Sequence, residues 1–549
     1  MKKIFVCVSV VLILVLAMFA GCGKKAAERE TVGSLVLELD VENDSYSVVG
    51  TVQGISGDVV IPSTHNGKNV TKIAREAFER CSAIKSVKIP NTVKEIGPYA
   101  FAYCTSISNV NIPASVTTVN NHAFRGCTAL LSVTFEANST LKYIGHFAFE
   151  NCAKIIGISI PNSVETIGDS AFKDCTALTN VTTPTELKTL GSLAFNNCTS
   201  LKNISFYNKV TSMGTGAFRG CSALTNVVLS SGLTSVGESL FYDCKNIVSA
   251  TMPTAALKEL PKDKLVTLEI NGGDKIATNA LSDCKSLQSV VIADSVTEIG
   301  NSAFYGSTAL SRVTFKSGAS VLRKIGNYAF YNCKALTGIT LPSGVNTIGA
   351  GAFYACTGLK NMIIPNAVTA IEKEVFYGCT ELMGVTMPTG VTQIGDSAFR
   401  ECVSLTGVTL PEALTSIGSF AFYGCKGLTA LVIPNRVESI DSFAFSGCKG
   451  LVSMTLGENV NSIGNYAFSD CSSLTSLIIP ASVTSIVKYA FYNCIGIKSV
   501  TFKNTTGWSY LTTSGAGNSI DISNYALANT ATAAEYLTRT YCYYDWSRK

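Results

Sequence analysis

Between Ile394 and Pro411 the chain reads I-G-D-S-A-F-R-E-C-V-S-L-T-G-V-T-L-P. The alternation Val408-Thr409-Leu410 predicts a short strand with its valine and leucine turned inward and its threonine outward. Pro411 lacks an N–H and closes that strand. Gly395 sits where a tight turn calls for positive φ. The stretch from Asp396 to Cys402 is too short for a long helix. It predicts one helical or 3₁₀ turn with Phe399 as its core anchor.

Working outward, the same phrase recurs eighteen times between Phe78 and Phe491, mostly every 23 residues, with single intervals of 25, 26 and 40. A period in this range marks a solenoid, in which each unit buries its apolar face against its neighbours. The longest interval hides a short extra coil, because Leu265 to Ile270 supplies a strand without its own Ala-Phe-x-x-Cys. Three residues after the repeat aromatic stands a cysteine in every coil but one, where Ser307 replaces it. Neighbouring rungs lie about 4.8 Å apart with parallel side-chain vectors, which does not suit a disulfide. Nor does such a column converge as zinc ligands must. Free, buried thiols packing as small hydrophobes are expected.

These units resemble the BspA-like class of leucine-rich repeats, which shares the Ala-Phe-x-x-Cys core and the Ile-Pro or Leu-Pro strand end. The resemblance covers about residues 46–502. It implies an α/β solenoid: a curved, right-handed leucine-rich-repeat stack with a concave parallel sheet of about twenty rungs, as the strand ends count. It also implies display on a bacterial surface and adhesion to host matrix proteins or to other cells. Residues 34–75 read as an N-terminal cap, 76–502 as the repeats and 503–549, which hold Trp508 and Trp546, as a C-terminal cap.

The N-terminus reads as a targeting segment. Lys2 and Lys3 precede an apolar run from Ile4 to Ala20, so residues 1–21 match a secretory signal and 22–33 a polar linker. Phe19-Ala20-Gly21-Cys22 resembles a bacterial lipobox with Phe19 in place of the usual leucine, which implies acylation of Cys22 and anchoring at the cell envelope. An uncleaved anchor is the alternative, although 17 apolar residues are few for a span.

A charged fraction of 15% and a net charge of +5 do not suggest nucleic acid as a partner. The chain has three histidines, and His122 and His146 stand at different repeat positions. No nucleophile elbow, phosphate loop or His-Glu-x-x-His occurs. No catalytic residue, metal ligand or cofactor is therefore assigned. Two surfaces remain. The strand face is small and polar, as at Thr337, Gly338, Thr340, Thr406, Gly407 and Thr409. The second holds the positions two before and one after the repeat aromatic, neighbours on one helical face. From Phe304 onward it reads Tyr305, Tyr328, Tyr331, Tyr354, Tyr377, Arg400, Phe420, Tyr423, Phe443, Tyr466, Tyr489 and Tyr492. Tyrosine and arginine are favoured at interface hot spots, so this stripe is the expected binding surface. The expected function is that of an adhesin for extracellular or cell-surface proteins. A glycan-capture lipoprotein and a passive spacer are the alternatives.

Overall fold

The computed structural model describes residues 28–207, 209–512 and 519–549. The signal segment, Cys22 and the first part of the linker lie outside them. The chain forms two compact units, one ending at Lys154 and one running from Ile155 to Lys549.

The first unit starts with antiparallel strands Arg29–Val32, Leu35–Asp40 and Ser45–Thr51. The last of these pairs in parallel with Lys68–Ile73 and so begins a ladder of short parallel strands, Glu95–Ile96, Thr118–Val119 and Tyr143–Ile144. A second parallel ladder runs through Gly57–Val60, Ile84–Lys88, Asn109–Ile112 and Ser132–Phe135. Every coil thus carries a short strand (Ile-Gly side) and a longer one (Ile-Pro side), joined by turns. The second unit repeats this plan. Of the twenty coils among the described residues, nineteen have the longer strand, and Thr337–Leu341 stands as the exception.

The short extra coil within the 40-residue interval contributes Thr267–Ile270, in register with Ser249–Met252 and Ser289–Ile292. In place of its short strand it has a 3₁₀ helix, Thr254–Glu259, packed against Ser235–Val236 and Lys275–Ile276. The additional residues of the 25- and 26-residue intervals lie between the two strands of their coils, after Phe135 and after Phe315.

The repeat aromatics are the spine. Phe78, Phe101 and Phe124 stack at 4.9 and 5.1 Å with nearly parallel planes. In the second unit Phe376, Phe399 and Phe422 do so at 5.4 and 5.0 Å. All are fully buried, each contributing about 1.5–3 kcal/mol.

Two local expectations need correction. The segment Asp396–Cys402 is a run of turns, not a helix. Ser397 and Glu401 are left-handed, with φ of 56° and 60°, and the residues two before and two after the aromatic repeat this throughout. A helix would direct its N–H groups to its own carbonyls. Here Ser397, Phe399 and Glu401 instead donate to Ser419, Ala421 and Tyr423 of the next coil at 2.7–2.9 Å. Apart from the 3₁₀ helix Thr254–Glu259, the described repeats are therefore β-strand and turn, stacked as the solenoid that the sequence leads one to expect.

Gly395 is likewise not left-handed. Its reason is close approach: an added Cβ would lie 2.6 Å from the Lys373 nitrogen and 2.9 Å from the Glu372 carbonyl carbon.

The eighteen described cysteines form no disulfide, and all but Cys81 are buried. They also hydrogen-bond. Cys402 Sγ donates to the Phe376 carbonyl at 3.1 Å, and Cys379, Cys425 and Cys448 repeat the bond to the preceding aromatic at 3.1–3.2 Å. Ser307 keeps it through its hydroxyl, 3.0 Å from the Leu281 carbonyl. Burial pushes the Cys356 and Cys448 thiols up to about 12, so these sulfurs stay protonated donors. Cys402→Ser is expected to be close to neutral in urea unfolding. Cys402→Ala, which takes away one of that carbonyl's two donors and leaves it the Cys379 N–H at 3.1 Å, should cost about 0.5–1.5 kcal/mol; equal losses would show that the bond contributes nothing.

At its far end the second unit is closed by Asp545–Arg548, antiparallel to Ser485–Ile486, and by Trp508–Leu511 beyond it. Two short helices, Asn524–Ala528 and Thr530–Glu535, cover the last long strand, Ser499–Phe502. The final coil would leave donors open, and this segment accepts them: Lys488 N–H reaches Asp545 Oδ1 at 2.8 Å and Tyr489 N–H the Cys542 carbonyl at 2.6 Å. Both tryptophans are buried, with Nε1 donating to the Asn504 and Tyr541 carbonyls.

Candidate functional site

The aromatic stripe is a pair of ladders. Left-handed turns, not a helix face, project these side chains. Tyr305, Tyr331, Tyr354 and Tyr377 stack at 4.4–4.9 Å along the position after the aromatic. Phe420, Phe443, Tyr466 and Tyr489 stack at 4.6–4.8 Å along the position two before it. Arg400 joins the two columns, its guanidinium 5.4, 5.1 and 4.9 Å from the rings of Tyr377, Phe420 and Tyr423. Tyr328 lies across Gly351 and donates to Glu374 Oε2 at 2.9 Å, while Tyr492 packs against Tyr489 and Tyr543. Burial, with Tyr377 beside it, pushes the Tyr354 hydroxyl up to about 12. The ring faces expected to meet a partner are turned on one another. Only the end members Tyr305 and Tyr492 are exposed, at 37% and 38%.

The first unit holds a shorter stack that sequence reasoning missed, with His122 between Tyr99 and Phe147 at 4.3 and 4.7 Å. Burial first, then Arg125, lowers the His122 pKa, so the ring packs as a neutral aromatic. Among the described residues, no group of three or more His, Cys, Asp or Glu side chains could hold a metal ion. No described helix is long and apolar enough to cross a membrane.

Concavity lies on the other surface. On the longer strands the residues eight and ten after the aromatic point outward, by the strand's period of two. The eighth position reads Arg312, Gly338, Asn361, Gly384, Gly407 and Ala430 through successive coils, and the tenth is largely Thr or an aliphatic. Gly338 and Gly407 leave real space: no atom lies within 4 Å of a Cβ added at either. Two open depressions result, one of about 1050 Å³ over Gly338 and one of about 540 Å³ over Gly384 and Gly407. They share Asn361 and Ile363 and so form one trough across six coils. At about 4.8 Å per coil it is roughly 24 Å long. The larger depression lies where Thr337–Leu341 drops out of the strand ladder, leaving the N–H and C=O groups of Gly338–Leu341 without a protein partner among the described residues.

Arg312 is the sole charged residue lining either depression. Ile363 and Val432 are 70% and 62% exposed beside the glycine floor. Thr406 and Thr429 donate their hydroxyls back to the preceding coil. The hydroxyls of Thr340, Thr386 and Thr409 and the Asn361 amide make no hydrogen bond within the described protein and face solvent. The signal for this trough is the glycine at the eighth position, which a reading centred on aromatics passes over. Apart from Arg312 at one end, it is an uncharged, hydrogen-bonding surface open to the outside, with no acid–base pair confined in it.

A family model described as a BspA type leucine rich repeat region in six copies matches residues 58–175, 142–263, 274–406 and 392–514. No curated protein matches the chain. Among solved structures, a leucine rich cell surface protein from Faecalibacterium prausnitzii is 27% identical, covering 66% of this chain and 95% of its own, with a TM-score of 0.34. A leucine-rich repeat protein from Bacteroides ovatus is 25% identical over 86% of this chain and all of its own, with a TM-score of 0.36.

Proposed function

The chain belongs to the BspA-type leucine-rich repeat family, and from that premise we propose that it is a non-enzymatic adhesin displayed at the bacterial cell surface. It is held there by a lipid on Cys22 and recognises matrix or cell-surface macromolecules through the trough on its strand face. The observation that carries this reading is the continuity of that trough over six coils, floored by glycines that have room for side chains they lack. A spacer would have no use for such a surface. The aromatic ladders serve as the stack's external brace, because their faces are already occupied.

Adhesion of whole cells to matrix-coated surfaces tests the proposal. Cys22→Ser is expected to release the protein to the medium and abolish adhesion. Gly407→Phe should leave the protein on the cell and weaken adhesion about tenfold or more, the loss of roughly 1.4 kcal/mol or more of binding. If adhesion survives Gly407→Phe but is lost when Tyr331, Tyr354 and Tyr377 become serine in a folded protein, the site belongs to the stripe. Adhesion unchanged in every variant would sink the reading.

A further inference from the structure

The geometry points to an uncharged, unbranched, β-1,4-linked glycan as the ligand of the trough, lying along the stack with one sugar opposite each coil. This rests on the trough being the binding surface, and it names the ligand class.

Charge is the first reason. A protein patch brings ionised side chains, and each one desolvated without an opposite charge is penalised. The trough offers Arg312 at one end and nothing ionised over the next five coils. A neutral partner is the one it can desolvate without loss.

Hydrogen bonding is the second reason. Thr340, Asn361, Thr386 and Thr409 place one unpaired polar group on each of four successive coils. A hydroxyl can donate or accept and the amide does both, which suits a partner whose every unit carries hydroxyls. Among them the exposed aliphatic carbons of Ile363 can meet the C–H face of a pyranose ring, and the glycine floor lets a ring lie close to the sheet.

Spacing decides between polymers. Coils recur about every 4.8 Å, whereas an extended peptide advances about 3.3 Å per residue and turns alternate side chains away. Laid along the trough, a peptide would face it with a side chain only about every 6.6 Å and so miss the polar groups of successive coils. A β-1,4-linked chain is an extended ribbon whose sugars advance about as far as one coil does. It stays in step from Gly338 to Ala430.

Calorimetric titration of the purified protein with the series from cellobiose to cellooctaose tests this. Affinity should climb with each added sugar to about the hexaose, matching the six coils of the trough, and then level. Gly407→Phe and Gly338→Phe, at positions where an added Cβ meets nothing within 4 Å, should each weaken hexaose binding about tenfold or more. Thr409→Val, equal in shape, should weaken it severalfold, which distinguishes a lost contact from a misfolded variant. Binding that does not grow with length, or that survives both phenylalanines, overturns the inference. So does a series that fails to bind while an enzymatically deglycosylated matrix protein binds and loses binding in Gly407→Phe; the trough then remains the site and takes protein. If neither probe binds a folded protein, the adhesin reading falls as well.

Discussion

Alanine in place of Phe399 is expected to lower the stability of the second unit by about 3–5 kcal/mol. The ring is fully buried and lies between Phe376 and Phe422 at 5.4 and 5.0 Å. Truncation therefore removes apolar burial, leaves a ring-sized void and deprives two further rings of a stacking partner, each pair contributing about 0.5–1.5 kcal/mol. The void cannot easily close. Spacing between coils is held by the forward bonds of Ser397, Phe399 and Glu401 and by the strands on either side. Phe399→Leu, which keeps most of the volume, should lose markedly less. Urea unfolding followed by far-ultraviolet dichroism reads both. A loss under about 1.5 kcal/mol for alanine would mean that neighbouring coils refill the site and that the aromatics are not the spine.

The second large effect is expected from a single methyl group. Gly395→Ala should cost about 1–3 kcal/mol, the penalty of forcing atoms into filled space. What the new Cβ meets is backbone, the Lys373 nitrogen at 2.6 Å and its Cα at 3.0 Å, which has no rotamer to escape into. Asp441 shows the strain in place. It occupies the same slot two coils on, and its N–H stretches to 3.4 Å from the Ile417 carbonyl, against 2.7 Å for Gly395 to Ile371. Asn120 and Val487, in the same slot of other coils, keep 2.9 Å, so the slot can widen where the neighbouring coil allows it. Gly407→Ala is the internal control. It lies in the same coil, meets nothing within 4 Å, and should be neutral or stabilising by up to about 1 kcal/mol through loss of unfolded-chain freedom. Similar losses at both glycines would refute close approach as the reason for Gly395.

The features that depend on burial were legible in the residues. Phe399, Cys402, Leu405 and Leu410 recur with the period, and all are buried. The features set by backbone direction were not. Positive φ two residues before the aromatic is carried by Tyr, Phe, Ser and Glu as readily as by Gly, because bonds to the next coil impose it and no local preference announces it. Two residues after the aromatic a signal did exist. Asp174, Asn197, Gly220 and Asp243 are types that tolerate the left-handed region, and none of the left-handed residues is β-branched. The stripe of aromatics was visible as a pattern, but whether such rings face a partner or one another depends on the spacing between coils, which composition does not report. The trough was hidden for the opposite reason: what makes it is missing side chains.

The position of the irregular intervals fixes how such a molecule can change size. Forward bonds, the cysteine donors and both strand ladders tie each residue to its counterpart one coil away. A deletion within the ladders that is not a whole coil would shift all of them at once. The additional residues after Phe135 and Phe315 fall in the one stretch that no ladder crosses, and the strands resume pairing beyond them, Tyr143 with Thr118 and Lys324 with Glu298. Insertions of a few residues are thus confined to one rim, while reach along the axis is quantised. The chain can lengthen or shorten by whole coils, in steps of about 4.8 Å, and keep every contact it already has.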